Sequence, residues 1–390
     1  MACKVKKVPN GGGTIRKRSD GRWEARYTNG FDPKTGKQIQ KSVYGKTQAD
    51  VRKKLQAVCT AINTGNYIEP SKLTVGNWFD IWLKEYTGSI KPLTLKSYTV
   101  AINNHIKPSL GAIKLSSLGT HSIQAFYNKL LHGSEEMLGL SPKTIKNVHG
   151  VVHKALQQAC EINYINANPS NACKLPRVEK TKIKPLEETE ISNFIKAIKG
   201  HQFENLYLFT LFTGMRQGEV LGLTWDSVDL QNGTILIYQQ LQRIDGVYKF
   251  VSLKNDKSRN ITLPPFIIKL LQEHKAMQNQ WRLLAGSSWD NSNHVFSNQL
   301  GGHLAHVTVS TNYKKIVKSI GLPDARFHDL RHSYAVAALQ SGDDIKTVQE
   351  NLGHHTASFT LDVYGHVSDR MKIDSANRME NFIKTVHEIS

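Results

Sequence analysis

The sequence is poor in cysteine and has no long apolar run, and both absences narrow what the protein can be. Its four cysteines, Cys3, Cys59, Cys160 and Cys173, form no C-x-x-C pair, which suggests neither a zinc ribbon nor a disulfide framework. No segment approaches the roughly 18 to 20 apolar residues that span a bilayer. The first residues, M-A-C-K-V-K-K-V-P, lack the apolar stretch of a signal peptide. We therefore expect a cytoplasmic protein with reduced thiols and no membrane partner.

Acidic residues are scarce relative to basic ones. The 390 residues carry 51 Lys and Arg against 32 Asp and Glu, a formal net charge of +19. Residues 1–66 hold 15 basic against 4 acidic residues, residues 67–178 hold 12 against 6, and residues 179–390 hold 24 against 22. Such an excess at one end of the chain favours binding to nucleic acid. A chain of this length also predicts two or three domains.

The N-terminal region has the pattern of a small sheet followed by a helix. Turn signals in R-S-D-G-R and F-D-P-K-T-G-K separate three predicted strands. In the second strand one face carries Trp23, Ala25 and Tyr27, and the other carries Glu24, Arg26 and Thr28. A helix is predicted from Thr47 through Asn63, with apolar residues at helical spacing at Val51, Leu55, Val58 and Ile62. One sheet face stays uncovered, and such a face can enter the major groove of DNA.

Residues 67–178 are predicted to be helical throughout, with helices near 75–86, 94–106, 120–131 and 142–162. The last helix has the clearest signals, because Ser141 can cap it and Pro142 suits its first turn. Its apolar stripe consists of Ile145, Val148, Val152, Leu156 and Ala159. We interpret that stripe as core and the following N-A-N-P-S-N-A-C-K-L-P as a hinge.

From residue 186 the sequence predicts helices with one β interruption. The strands T-I-L-I-Y-Q-Q-L-Q, I-D-G-V-Y-K-F-V-S-L and S-R-N-I-T-L-P-P are expected to form an antiparallel meander. Its turns are predicted near Asp245-Gly246 and Asn255-Asp256. A tail helix is predicted around residues 371–389, with an apolar face formed by Ile373, Ala376, Met379, Ile383 and Val386.

A dispersed set of basic groups, ending in one tyrosine, carries the chemistry. In chain order they are Arg216 in T-G-M-R-Q-G-E, His328 and Arg331 in H-D-L-R-H-S, His354 in L-G-H-H-T, and Tyr364 in T-L-D-V-Y-G-H. A phosphodiester repels nucleophiles, so an enzyme that attacks one without metal must surround it with fixed cations and hydrogen-bond donors. A tyrosine can then hold the phosphate covalently for later rejoining. This set therefore predicts cutting and resealing of DNA.

These motifs resemble those of the tyrosine recombinases, or phage-type integrases, in both order and local spacing. The likeness extends over essentially the whole chain, because the N-terminal sheet resembles the arm-binding domains of integrases from phages and conjugative transposons. The resemblance implies a multidomain α+β fold. Its parts are a small three-stranded sheet plus helix that binds arm sites at 1–66, an all-helical core-binding domain at 67–178, and a mainly helical catalytic domain with a small antiparallel β-meander at 179–390.

The resemblance also implies roles for the site residues. Arg216 and Arg331 would grip non-bridging oxygens of the scissile phosphate, which suits planar guanidinium forks. His328 would accept the tyrosine proton or donate to the phosphate, and His354 would add a donor. A free tyrosine has a pKa near 10, so Tyr364 needs nearby cations or a base.

The leaving 5′ oxygen needs a proton, which the family takes from a lysine on the β-hairpin. In V-S-L-K-N-D-K-S-R this is Lys254, and Lys257 stays open as the alternative. Glu219, one helical turn from Arg216, is expected to orient a basic group.

The expected function is site-specific recombination for a bacterial mobile element, through a 3′-phosphotyrosine and a four-way junction. The expected partner is double-stranded DNA at arm and core sites, bound by a homotetramer, with excisionase and DNA-bending accessory proteins as further candidates. No cofactor or metal is expected, and the protein is expected to be cytoplasmic and associated with the nucleoid. The tail helix is expected to pack against the same or a neighbouring protomer.

Three alternatives compete with this interpretation. H-D-L-R-H has the i,i+4 histidines of a zinc-protease helix, but Asp329 stands where that site needs Glu. A DNA-binding regulator with an inactive catalytic domain would bind without cleaving. A type IB topoisomerase shares the chemistry, although the arm-like domain argues against it.

Overall fold

The computed structural model describes residues 13–31, 35–63, 72–134, 137–179, 184–253, 256–353 and 369–388. The chain divides into two compact units, residues 1–179 and 180–390. The predicted boundary near residue 66 falls among residues outside the described ranges, so the three-domain division stays a prediction. Within the described ranges, no helix has the length and apolarity needed to cross a membrane.

The first unit begins with the predicted sheet and helix, which are confirmed. The elements are β1 (Thr14–Lys17), β2 (Trp23–Phe31), β3 (Gln38–Gly45) and α1 (Gln48–Asn63). The strands pair antiparallel in the order β1-β2-β3, with a register shift between Thr28 and Phe31. Helix α1 packs on one sheet face and forms a small core from Ala25, Tyr27, Val51 and Leu55. The opposite face carries Glu24 and Arg26, as the alternation predicts.

Helices build the rest of the first unit, as predicted. They are α2 (Val75–Glu85), α3 (Pro92–Ala101), a π-helical turn (Ile102–Ile106), α4 (Lys107–Leu110), a 3₁₀ turn (Leu115–Ser117), α5 (Thr120–His132) and α6 (Pro142–Glu161). A short hairpin, β4 (Gly133–Ser134) with β5 (Met137–Leu138), joins the last two helices and was not predicted. Trp78 fixes α2 on α6, because its buried indole N–H donates to the carbonyl of Ala155 at 2.9 Å.

Helix α6 shows how local signals set an element. The Ser141 hydroxyl accepts from the backbone N–H of Thr144 at 3.2 Å, so the predicted cap is confirmed. The predicted apolar stripe is buried in full, and two further residues, Val151 and Ala155, widen it. The helix therefore lies at the centre of its core.

The second unit is mainly helical with small sheets. Its helices are α7 (Glu188–Ile198), α8 (Glu204–Thr213), α9 (Gln217–Leu221), α10 (Pro265–Ala285), α11 (His306–Ser319), α12 (Asp329–Gln340), α13 (Ile345–Leu352) and α14 (Asp369–Glu388). Its strands are β6 (Val228–Asp229), β7 (Thr234–Ile237), β8 (Gln239–Ile244), β9 (Val247–Ser252) and β10 (Arg259–Thr262). Aromatic side chains form much of the core, including Phe194, Tyr207, Phe209, Phe296 and Tyr313.

Strands form in all three predicted segments of this unit, but the first segment is divided into β7 and β8, β6 was not predicted, and the strands do not pair as a simple meander. Strand β10 pairs with β7, which also pairs with β6, while β8 and β9 form a separate hairpin. The hairpin turn at Asp245 and Gly246 is confirmed, with φ values of 48° and 86° that suit a two-residue turn. Because β10 returns to β7, it lies against the end of α13 rather than at the edge of the hairpin.

The predicted tail helix is present as α14. Ile373, Met379, Phe382 and Ile383 are exposed on it, so it presents apolar side chains to solvent in the isolated chain. Its packing partner stays a prediction.

Candidate active site

Arg216 lies between two helices and is fixed at both its backbone and its side chain. Gly214 ends α8 in the left-handed conformation, at φ 62°, and α9 begins directly after Arg216. The Glu219 carboxylate accepts from the backbone N–H of Arg216 at 3.0 Å and from its Nη1 at 2.7 Å. The same acid therefore caps the helix and sets the direction of the guanidinium.

Glu219 is a buried acid, not a surface residue of a helix. It is 2% exposed, and Arg259 donates to it through Nη1 at 3.2 Å and Nη2 at 2.6 Å. Burial opposes ionisation, but hydrogen bonds and charge from Arg259, with the charge of Arg216, hold the pKa of Glu219 at about 2. It is therefore a carboxylate that balances two arginines.

Arg331 lies in the first turn of α12 and is 1% exposed. Its Nη1 donates to the carbonyl of Gly214 at 2.8 Å, and its Nη2 donates to the carbonyl of Leu352 at 2.6 Å. One guanidinium thus joins the end of α8 to the end of α13. A buried arginine requires such acceptors, because its charge cannot be removed.

Three arginines converge on three successive carbonyls at the end of α13. Arg259 Nε donates to Asn351 at 2.8 Å, Arg331 Nη2 to Leu352 and Arg216 Nη2 to Gly353 at 3.2 Å. The C-terminal end of a helix is the negative pole of the helix dipole, so it attracts cations. Gly353 then ends the helix at φ 64°, a left-handed conformation that suits glycine. The arginines are thereby assembled at the residue that precedes His354.

His328 stands immediately before α12, and His332 lies one turn later, with ring centroids 4.8 Å apart. His328 is exposed, but partial desolvation of its imidazole, then the charges of Arg331 and Arg216, lower its pKa. Burial and His328 lower the pKa of His332 to about 4. Both imidazoles are therefore neutral at pH 7, and neutral His328 has a nitrogen able to accept a proton.

The structure brings Arg216, Glu219, His328 and Arg331 into one region of the second unit. Lys254, His354 and Tyr364 lie outside the described residues. Lys257, the alternative to Lys254, is described and exposed. Their roles stay predictions.

The sequence interpretation missed Arg259. It shares a strand face with buried Ile261, two residues on, and a charged residue in that position needs a buried acid. Glu219 is that acid.

The hydrogen bonds of Asp329 argue against the zinc-protease alternative. The Asp329 carboxylate accepts from the backbone N–H of Arg326 at 2.7 Å and from its Nη2 at 3.1 Å, so it is engaged as a helix-start acid. Among the described residues, no group of three or more His, Cys, Asp or Glu side chains is arranged to hold a metal ion.

Family models match both units. Residues 184–371 match the Phage integrase family, and residues 74–131 match the phage integrase N-terminal SAM-like domain. The chain is 30% identical over 368 residues to a tyrosine recombinase XerC-like protein of Caldanaerobacter subterraneus subsp. tengcongensis, covering 89% of this chain and 93% of the relative. It is 23% identical over 373 residues to the ICEBs1 integrase of Bacillus subtilis, covering 95% and 100%.

Solved structures share the fold. The Tn1549 transposon integrase in complex with transposon right end DNA has a TM-score of 0.67 at 21% identity, covering 79% of this chain and 100% of that chain. A lambda integrase tetramer bound to a Holliday junction has a TM-score of 0.56 at 19% identity, covering 91% and 98%.

Proposed function

Because this chain belongs to the phage integrase family and is a site-specific tyrosine recombinase that breaks and rejoins DNA, we propose that it integrates and excises a mobile genetic element. Two relatives support this biological role. One is the integrase of ICEBs1, and the other is the integrase of the Tn1549 transposon. The sheet module that precedes the recombinase core is the feature that a simpler two-domain recombinase does not need.

The proposed reaction begins with attack by Tyr364 on the scissile phosphate. The phenolic proton passes to a base, for which His328 is the candidate, while a bond forms between the tyrosine oxygen and phosphorus. The bond from phosphorus to the 5′ oxygen breaks, and that oxygen takes a proton from Lys254 or from Lys257. The products are a 3′-phosphotyrosine and a 5′-hydroxyl.

The 5′-hydroxyl then attacks the phosphotyrosine of the partner duplex and releases the tyrosine. Repeating the exchange on the second pair of strands resolves a four-way junction. Each step replaces one phosphodiester by another, so the sequence of steps needs no ATP. Arg216, Arg331 and His354 would stabilise the extra negative charge of each transition state.

The convergence of three arginines at the end of α13 is the observation that carries this proposal. Arg216 and Arg331 donate to adjacent carbonyls there, and the next residue along the chain is His354. Each of these guanidiniums has five N–H donors, so a phosphate can be bound without breaking every existing contact. Since Arg331 is buried, its charge acts in a medium less polar than water and attracts a phosphate more strongly.

We further propose that the working assembly is a tetramer of this chain on two duplexes. The lambda integrase captured on a Holliday junction is a tetramer, which supports this stoichiometry. Residues 1–66 would bind arm sites and residues 67–178 core sites. Linking two DNA-binding modules raises the effective concentration of the second site. Excisionase and DNA-bending proteins are candidate accessory partners, and the proposed location is the nucleoid.

Recombination in a bacterial host tests the proposal. One plasmid would carry the joined ends of the element and a second the target sequence, with recombinants counted by PCR across the new junctions. The full chain is expected to give recombinants, and Arg331→Ala is expected to give none. A chain lacking residues 1–66 is expected to bind the core site and fail to integrate. Equal recombination by that truncated chain would overturn the arm-site assignment.

A further inference from the structure

The uncovered face of the first sheet has an acid at its centre. Facing residues across the three strands form two rows on this face: Arg16, Glu24 and Tyr44 in one, and Thr14, Arg26 and Ser42 in the other. Helix α1 covers the opposite face. Arg18 adds a further cation, with its guanidinium 5.6 Å from the centre of the Tyr44 ring.

Glu24 is 2% exposed although no part of the apolar core covers it. Arg16 donates to its Oε2 through Nε at 2.7 Å, and Nη2 of the same guanidinium forms an ion pair with that oxygen at 2.7 Å. Arg26 donates through Nε at 3.3 Å, and the Ser42 hydroxyl donates at 2.7 Å. All three strands therefore place a donor on one carboxylate. The hydrogen bonds from Ser42 and Arg16 hold the pKa of Glu24 at about 2, so it is ionised at neutral pH.

The two arginines remain accessible while Glu24 holds them. Their side chains are 56% and 44% exposed. Glu24 occupies the edge of Arg16 formed by Nε and Nη2, so the edge formed by Nη1 and Nη2 points away from it. A guanidinium edge held in one plane matches the O6 and N7 acceptors of guanine in the major groove.

A carboxylate in the middle of a DNA-binding face weakens attraction to phosphates. The contacts point to a compensating effect, because Glu24 holds the guanidinium of Arg16 at two nitrogens and that of Arg26 at one. Mobile arginines would bind any phosphate, whereas oriented arginines discriminate among base edges.

We propose that Glu24 is the positioning residue of a guanine-reading pair, Arg16 and Arg26, on the sheet face that binds arm DNA. The inference rests on the proposed function, since it requires this sheet to bind duplex DNA. Glu24 would lower non-specific affinity and raise sequence discrimination.

The test uses the full chain carrying Tyr364→Phe, which leaves DNA uncut, and a pool of random-sequence duplexes. The DNA sequences that the Tyr364→Phe chain (the parent) retains are expected to fall into a core motif and an arm motif. Guanine is expected to be required at some positions of the arm motif. Adding Glu24→Gln is expected to reduce guanine preference there by roughly tenfold or more. Binding to an alternating A·T duplex is expected to stay equal or to tighten, because one negative charge is lost.

Asp20→Asn is the matched control. Asp20 is also an acid of this module, but in the turn between β1 and β2 it pairs with Arg22 at 2.8 Å and with Arg18 at 3.6 Å, rather than with Arg16 or Arg26. Its loss removes the same charge and is expected to leave guanine preference intact. Arg16→Lys keeps the charge on the face, removes the fork, and is expected to abolish guanine preference at one position only.

Retained guanine preference in both Glu24→Gln and Arg16→Lys would overturn the proposal while leaving the recombinase function in place. A parent that enriches no arm motif would overturn it together with the arm-site assignment. The core motif separates these results from global unfolding, because it should persist in every variant.

Discussion

Arg259 holds Glu219 with two hydrogen bonds, at 3.2 Å from Nη1 and 2.6 Å from Nη2. Arg259 begins β10, two residues after Lys257, and its Nε reaches the carbonyl of Asn351 at 2.8 Å. Glu219 in turn holds Arg216. This ion pair therefore joins the strand that follows the candidate lysines to Arg216, which we propose binds the phosphate, and to the helix that precedes His354.

Replacing Arg259 by lysine is expected to slow DNA cleavage by at least about tenfold, since hydrogen bonds to charged groups contribute about 1.5–3 kcal/mol. Lysine keeps the charge but cannot bind Glu219 and Asn351 together. DNA affinity is expected to change little. Single-turnover cleavage of nicked substrate measures the effect. Arg282→Lys is the control, because Arg282 is exposed on α10 and donates to Asn291 at 3.3 Å, away from this ion pair. Equal cleavage by Arg259→Lys and wild type would remove the proposed link.

Glu219→Gln is expected to destabilise the second unit by about 3–5 kcal/mol, because two arginines lose their buried counter-charge. Because glutamine has nearly the same size as glutamate, the loss of stability measures the removed charge rather than a change in packing. Denaturant unfolding measures it. Glu273→Gln, on the exposed face of α10, is expected to cost less than about 0.5 kcal/mol. A loss at Glu219 as small as that at Glu273 would show that the buried pair contributes little.

Gly353→Ala is expected both to destabilise and to slow cleavage. A Cβ in the left-handed conformation costs about 1–2 kcal/mol, and here it would also lie 2.9 Å from Arg259 Nη1. Gly321 has a similar conformation, at φ 83°, and no atom lies within 4 Å of the position that its Cβ would take. Gly321→Ala should therefore lose stability alone. The two variants are compared by thermal melting and by cleavage rate, and equal cleavage would count against a role for the α13 terminus.

Stability is expected to fall as the pH drops from about 7 to 4. The pKa of His332 is about 4 in the folded protein against 6.5 ordinarily, so the unfolded chain binds protons more strongly in that window. The contribution of neutral His332 to the free energy of unfolding is complete above pH 6.5 and is lost as the pH falls toward 4. About 2 kcal/mol of it is lost between pH 7.5 and pH 5. Unfolding free energies at those two pH values test this. His332→Asn should flatten the dependence in part, because the pKa values of other histidines are also lowered, namely those of His149, His274, His294, His306 and His328. An unchanged slope in that variant would contradict the assignment.

Local signals predicted most of the architecture. The alternation around Ala25 and the stripe of α6 depend on burial of one face, which a periodic sequence records directly. The position of Glu219, one helical turn from Arg216, likewise led to the expectation that it orients a basic group, and Arg216 is one of the two groups that it holds.

Ion pairs between residues far apart in the sequence were not predicted. Arg259 and Glu219 are 40 residues apart, and their contact follows from the return of β10 to β7, which turn signals do not encode. Glu24 occupies the predicted sheet face, but its burial depends on arginines from two strands folding over it. In both cases the local pattern gives the direction of a side chain and not its partner.

Formation of a covalent protein–DNA adduct tests the central claim most directly. Wild-type protein and Tyr364→Phe would be incubated in EDTA with nicked DNA carrying the end of the element, then separated in SDS. We expect an SDS-resistant adduct with wild type and none with Tyr364→Phe, although both bind the DNA. Binding without an adduct by wild type, or an equal adduct with Tyr364→Phe, would contradict attack by this tyrosine.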